Sequence, residues 1–402
     1  MKKILKGLRV IDFTWIGAGS YTTKLLADLG ADVIKIETST RLDTLRVTKP
    51  FKDGLPGVNR SGYFADRNSS KRSITLNIKD PKGLELAKKL IEKADLVTNN
   101  FTPGVMEKLG LGYAVIKGIS PRIVYAAMSM QGATGPDKAD LGYGLTITAV
   151  TGLQHMTGLP EREPAGTGTN YPDHIPNPGH AAFAILAALR HQRRTGQGQQ
   201  IDIAQIEPTL CMMAPSLMNY MINGVIDNRR GNRHSKFAPQ GVYRSKGQDR
   251  WITISIRDQA QWEALVQELG LPENEAWSHV SNRMKDHDQI DYLIEQATVQ
   301  HDALSLAQRL QGRSIAAGPV NDSRDVVSHD AQLAARGHWV TLDHPEVGPS
   351  LYNNSSYRFS DAESTPVAPA PMLGQHTDEV LKDLLGMGVE TIHDLRQSGV
   401  LR

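Results

Sequence analysis

The chain has 402 residues, 40% hydrophobic and 22% charged, an ordinary globular composition that is too long for a single hydrophobic core. Its 45 basic and 43 acidic residues are well mixed and leave a formal charge of +2, so no segregated basic face marks a nucleic-acid binder. A lone cysteine, Cys211, excludes an intrachain disulfide, and no stretch approaches the ~20 continuous apolar residues of a membrane span.

In chain order, the first forty residues read as strand, turn, helix, strand. Leu8–Phe13 is a short β-rich run, and Gly17 and Gly19 break it. Tyr21–Leu29 has helical spacing with Leu25, Leu26 and Leu29 on one face, and Gly30 caps it before the strand Asp32–Glu37. A second unit of the same kind follows. Ser73–Asn77 is a strand, Asp80-Pro81 opens a helix carrying Leu84, Leu86, Ala87, Leu90 and Ile91, and Asp95–Asn99 is the next strand. Strands alternating with helices of this length predict an α/β fold with a parallel sheet, which Arg122–Met128 extends.

From Gln131 to Pro178 the text turns rich in Gly, Pro, Thr and Asp, a loop long enough to expect function in it. Asn177-Pro178-Gly179 reads as a helix start with Asn177 as N-cap, and Ala181–Leu189, small and apolar all round, predicts a deeply buried helix. Thr195-Gly-Gln-Gly-Gln is a turn and Gln200–Ala204 a strand; Cys211, in the apolar run after Ile206, is expected buried and inert. Residues 226–249 are polar and Gly-rich, a crossing to another unit. That unit shows a strand at Trp251–Ile256, helices around 258–270 and 287–312, and a closing turn at Ala316–Val320. A β-rich piece near Gly337–Leu342 and a helix from Thr377 complete the chain. The first residues lack the apolar core and cleavage site of a signal peptide, so a cytoplasmic protein is expected.

Several segments in register resemble the family III CoA-transferases, the superfamily that includes formyl-CoA transferase, carnitine CoA-transferase and α-methylacyl-CoA racemase. They are Leu8–Thr14 with Leu25–Glu37, Asn68-Ser-Ser-Lys71-Arg72-Ser73, Asn100-Phe101-Thr-Pro-Gly104 with Lys108-Leu-Gly, Gln131–Pro136, Thr195–Gln199, Ala317–Val320 and Leu373–Val380. The resemblance implies a large Rossmann-like domain and a smaller α/β middle domain, with two chains threaded through each other as an interlocked, ring-like dimer. On this basis residues 1–225 form the first part of the large domain, 226–325 the small domain, and 326–402 a return to the large one.

The implied chemistry is transfer of CoA from an acyl-CoA, succinyl-CoA being one such donor, to a carboxylic acid such as a substituted dicarboxylate. A carboxylate performs it by holding the acyl group as a mixed anhydride and then CoA as an enzyme thioester. In the family the nucleophile is an Asp in the loop before the Ala-rich helix. Here that position falls on Asp173, the only acid between Glu163 and the helix. The positive end of that helix is expected to favour its ionised form. Lys71 and Arg72 resemble contacts to the nucleotide phosphates of CoA, with Asn100, Phe101 and Lys108 as further CoA-binding candidates. Ile16 and Gly17 stand where relatives line the thioester end, and Gly17 leaves oxyanion stabilisation to backbone N–H groups. The acyl-CoA is a substrate and no prosthetic group is implied. His174 and His180 show no metal-ligand spacing, so no metal site is expected.

Three alternatives turn on particular residues. A racemase needs two proton-transferring groups, but its His-Asp pair corresponds to Tyr143 and Gly144. A dehydrogenase needs a third glycine after Gly17-Ala-Gly19, which is missing. A heteromer with a homologous subunit remains an alternative to the homodimer. Trp15, Tyr21, Tyr143 and Tyr171 suggest a pocket tolerant of aromatic groups.

Overall fold

The computed structural model describes residues 2–402, which form two compact units. One comprises residues 2–154, 166–226 and 332–402; the other comprises 155–165 and 227–331. The sequence reading places 155–165 with the large domain instead. Local bonding explains the difference. The Arg229 guanidinium donates to the carbonyls of His155 and Arg162, and the Gly231 N–H donates to the Gly158 carbonyl.

The larger unit is built on β1 (Arg9–Asp12), α1 (Ile16–Asp28), β2 (Asp32–Glu37), β3 (Arg72–Thr75), α2 (Pro81–Glu92), β4 (Leu96–Asn99), β5 (Val124–Ser129), α3 (Gly144–Val150), α4 (Tyr171–His174), α5 (Pro176–Thr195) and β6 (Gln199–Ala204). The six strands are all parallel, in the order β3-β2-β1-β4-β5-β6. Helices cover both faces, so successive strand residues are buried alternately on one side and the other. Ile11, Ile34, Ile36, Ile74 and Val97 pack with Leu86, Leu90 and Ile91 of α2. Val10, Val33, Leu96 and Val124 pack with Leu26 of α1 and with Ile185 and Leu189 of α5. The strand order reverses between β1 and β4, and in such sheets that switch point opens a crevice at the carboxyl ends of the strands.

Several local expectations change. Helix α1 starts at Ile16 rather than near Tyr21, so Gly17 and Gly19 lie inside it. Gly19 is required there for space, since a Cβ would fall 2.5 Å from Thr14 Cβ. Helix α5 starts at Pro176, and the Asn177 amide, expected to cap it, is buried and donates to Gln205 Oε1 at 3.2 Å. Only one side of α5 is covered within the chain: Ile185 and Leu189 are buried, whereas Phe183 is 76% exposed. Cys211 is exposed on the helix Ile206–Met212, not buried. That helix and the next, Ala214–Asn223, lacked side-chain caps to announce them.

The smaller unit contains β7 (Gln240–Arg244), β8 (Trp251–Ser255), α6 (Gln259–Leu269), α7 (His287–Thr298), α8 (Ala303–Gly312) and β9 (Ala316–Pro319). The antiparallel sheet runs β9-β8-β7 over a core of Trp262, Trp277, Leu265, Ile290 and Leu306. Ala316–Val320, expected as a turn, supplies the strand β9. The span 287–312 holds two helices because Asp302 caps a new one by accepting from the Ser305 N–H. After it the chain returns to the larger unit as a hairpin, β10 (Trp339–His344) and β11 (Gly348–Asn353), then α9 (Thr377–Leu385) and α10 (Val389–Gln397). Val380, Leu381, Ile392 and Leu395 of the last two helices join the α2 layer.

Glu37, the last residue of β2, is buried and gripped by Arg46 through two bonds of 2.8 and 2.7 Å. Removing one partner of such a pair leaves the other charge without compensation. Arg46→Ala is expected to lower the unfolding free energy by ~3–5 kcal/mol in urea denaturation. A loss below ~1 kcal/mol would show that water reaches Glu37 instead.

Candidate active site

A cavity of about 700 Å³ opens at the carboxyl ends of the parallel strands. Residues following each strand line it: Trp15 and Ile16 after β1, Thr38 after β2, Leu76 after β3, Asn100 and Phe101 after β4, Met130 after β5 and Gln205 after β6. This is where the switch point of an open parallel sheet places a ligand.

Of the residues singled out from sequence, Ile16, Gly17, Asn100, Phe101 and Asp173 meet around this cavity. Asp173, in the short helix α4, is only 3% exposed. Its Oδ2 accepts the Gly144 N–H at 3.0 Å, and among the described residues no hydrogen bond engages its Oδ1. Gly17 packs directly on it, for a Cβ there would stand 3.0 Å from Asp173 Cβ. Burial pushes the carboxyl up to about 6, and the Gly144 N–H only partly opposes this. The following helix was expected to favour ionisation, whereas burial shifts the carboxyl the other way.

His174 bonds Tyr63 Oη through Nε2 at 3.0 Å and, among the described residues, keeps a buried Nδ1 without a partner. Burial, helped by the Arg67 guanidinium, depresses its imidazole to about 4, so it is neutral at pH 7. The amides beyond Asp173 are tied back to the sheet. Asn177 donates to Gln205, and Gln205 donates to the Met128 carbonyl at 2.7 Å. Ser129 Oγ, buried and without a partner among the described residues, also belongs to the wall.

Lys71, Arg72 and Lys108 do not line the cavity. Lys71 is 2% exposed, with its ammonium held by Asp12 Oδ2 (3.2 Å), the Ser20 carbonyl (2.9 Å) and Asn68 Oδ1 (2.9 Å). Arg72 forks onto Asp32 at 2.9 and 2.7 Å and reaches Glu379 at 3.1 Å. Lys108 is exposed, while its neighbours Val105 and Leu109 face the cavity. The cations that do line it are Arg41 and Lys79, which the sequence reading missed. Strand polarity was the available signal. Lys71 and Arg72 stand at the start of β3, Lys79 lies past its carboxyl end, and only that end opens on a ligand. Arg41 lies 5.1 Å from the centre of the Trp15 ring, and Phe101 meets Trp15 edge-on at 5.9 Å. Of the four aromatic candidates, Trp15 and Tyr143 reach the cavity and Tyr21 and Tyr171 do not.

A family model described as CoA-transferase family III matches residues 5–377. The chain is 31% identical over 405 residues to Succinyl-CoA:glutarate CoA-transferase of Mus musculus, covering 99% of this chain and 90% of that protein. It is also 31% identical over 418 residues to Formyl-CoA:oxalate CoA-transferase of Streptomyces avermitilis, covering 100% of each. The crystal structure of a CAIB/BAIF family protein from Brucella suis superposes with a TM-score of 0.87 at 32% identity, over 96% of this chain and 100% of that one.

A carboxyl raised to about 6 binds its proton more tightly folded than unfolded, so stability is greatest below the ordinary carboxylate value and falls as pH rises through about 6. An asparagine keeps an oxygen for the Gly144 N–H without that cost. Asp173→Asn is expected to be more stable than the parent at pH 8 by ~1–3 kcal/mol, the gap closing towards pH 4. Melting curves at the two pH values measure it, and an equal gap at both would contradict the assigned titration.

Proposed function

This chain belongs to CoA-transferase family III, and we propose that it moves CoA from an acyl-CoA to a free carboxylic acid by covalent catalysis at Asp173. The supporting observation is a buried carboxylate on the cavity wall, with one oxygen held by Gly144 and the other unengaged among the described residues. The ionised carboxylate attacks the thioester carbonyl, forming a mixed anhydride and expelling the CoA thiolate. The thiolate then attacks the Asp173 carbonyl carbon, freeing the first acid and leaving an aspartyl-CoA thioester. An acceptor carboxylate repeats the sequence in reverse, and the aspartate is regenerated with no net change in protons. Partial desolvation suits this role, since a carboxyl near 6 is ionised at neutral pH yet poorly solvated.

Arg41 and Lys79 supply the positive charge for the CoA phosphates, and Trp15 with Phe101 supplies an aromatic wall. For the acids, succinyl-CoA as donor and a substituted dicarboxylate as acceptor is the favoured pair. The name of the mouse relative supports succinyl-CoA as donor and a dicarboxylate as acceptor, and a relative named for formyl-CoA and oxalate is equally identical. Racemisation fits less well, since Gly144 offers only its backbone and no histidine lines the cavity among the described residues.

The proposal extends to assembly with a second copy or a homologous subunit as linked rings, and to a cytoplasmic enzyme without a prosthetic group. The uncovered apolar side chains Phe183, Met221 and Ile222, each more than 70% exposed, support the assembly. Among the described residues no helix is long and apolar enough to cross a membrane.

Incubation with a panel of acyl-CoAs, hydroxylamine trapping and mass spectrometry is expected to find the label on Asp173. Asp173→Ala is expected to lower exchange at least ~1000-fold, and exchange at the parent rate would end the proposal. In the parent, kcat/KM is expected to rise with pH through about 6 and then level, because the ionised form is the nucleophile. Arg41→Ala is expected to raise KM for the acyl-CoA about tenfold with kcat nearly unchanged, whereas an equal loss in kcat would place Arg41 at the reacting end.

A further inference from the structure

Three consecutive residues, Thr14, Trp15 and Ile16, are held by side chains from four different segments. Thr14 N–H donates to Asp12 Oδ1 at 2.9 Å, and its carbonyl accepts the Lys35 ammonium at 2.5 Å. Asn100 matches both polar groups of Trp15, accepting its N–H at 2.8 Å and donating to its carbonyl at 2.7 Å. Ile16 N–H donates to Asp43 Oδ1 at 3.1 Å, an oxygen that also accepts the Leu45 N–H at 3.0 Å. The ring closes because Lys35 pairs with Asp43 Oδ2 at 3.0 Å, and both side chains are fully buried. The amide of Asn100, expected to touch CoA, is thus committed to the backbone.

What this cradle imposes is unusual. Ile16 has φ +58°, a left-handed conformation that a β-branched side chain strongly resists. Such a residue persists only where its surroundings over-determine it. It is also the residue immediately before Gly17, whose close approach leaves 3.0 Å between a would-be Cβ and Asp173 Cβ. A rotation at Ile16 towards the usual basin would change how the first turn of α1 sits against Asp173.

We propose that Asp43 and Asn100 are positioning residues for the transfer reaction: by pinning Ile16 in its left-handed conformation, they set the first turn of α1 against Asp173. The inference rests on the assignment of Asp173 as nucleophile. Glycine adopts positive φ without penalty, so Ile16→Gly removes the need for the clamp. The test is a double-mutant cycle on the full chain, with Asp43→Ala made both in the parent and in the Ile16→Gly variant. In the parent, Asp43→Ala is expected to lower kcat by about ten- to a hundredfold while KM for acyl-CoA changes less than about threefold. In the Ile16→Gly variant, the same change is expected to cost at least about tenfold less. Equal losses in the two backgrounds, a loss confined to KM, or no loss would overturn the proposal, since a merely structural role gives no coupling to residue 16. If Asp43→Ala shows no folded melting transition, Asn100→Ala in the same two backgrounds decides by the same criterion. Absence of an Asp173 hydroxamate in the unsubstituted enzyme would overturn the nucleophile and the positioning role together; its presence with uncoupled losses would overturn positioning alone.

Discussion

The carboxylate of Asp12 is the point on which the larger unit converges. It ends β1 at the switch point and is fully buried. Its Oδ1 accepts from Thr14 N–H, Thr14 Oγ1 and Thr98 Oγ1, and its Oδ2 accepts from Thr23 Oγ1 and the Lys71 ammonium. Those donors belong to the turn after β1, to β4, to α1 and to the approach to β3. Burial opposes its charge, but Lys71, Lys35 and the Thr14 bonds outweigh burial and hold its carboxyl below the usual range. A fixed anion at this place determines where β1 stops and where α1 begins.

Asp173 shows what the same side chain becomes with less support. Both carboxylates are almost wholly buried, yet among the described residues Asp12 has five donors and nearby cations whereas Asp173 has the single N–H of Gly144. One is held ionised and spent on structure; the other is raised to about 6 and remains available for chemistry. Lys71 belongs to the structural set. Burial lowers its ammonium to about 8 even with Asp12 beside it, and all three of its bonds go to groups inside the protein.

The parallel sheet was legible from sequence because β-rich runs alternate with amphipathic helices. Signals such as Asp80-Pro81 are local, and the Asp80 side chain does cap Lys82 N–H. Helix α10 was not seen, since only Ile392 and Leu395 of its apolar residues are buried, too short a pattern to read, and they owe that burial to a layer formed mostly by distant residues. The start of α1 was misplaced for a related reason. Gly17 and Gly19 look like chain breakers, but they are glycines because Asp173, Thr14 and Asn100 crowd them.

At the candidate site, the family resemblance carried Asp173, Ile16, Gly17, Asn100 and Phe101 to the cavity; four of them follow the carboxyl ends of β1 and β4, whereas Asp173 stands on the short helix α4, well away from any strand end in the chain. Order along the chain could not say which cations reach a ligand. Lys71 turns inward to Asp12, and Arg72 turns to Asp32, whereas Arg41 and Lys79 open on the cavity. By itself the sequence determined the strand and helix alternation, and hence the end of the sheet where a ligand belongs, because both are written in local periodicity. Only the tertiary structure decided which charges are spent holding the fold and which remain for a substrate, because that depends on partners far away in the chain and on how much water each group loses.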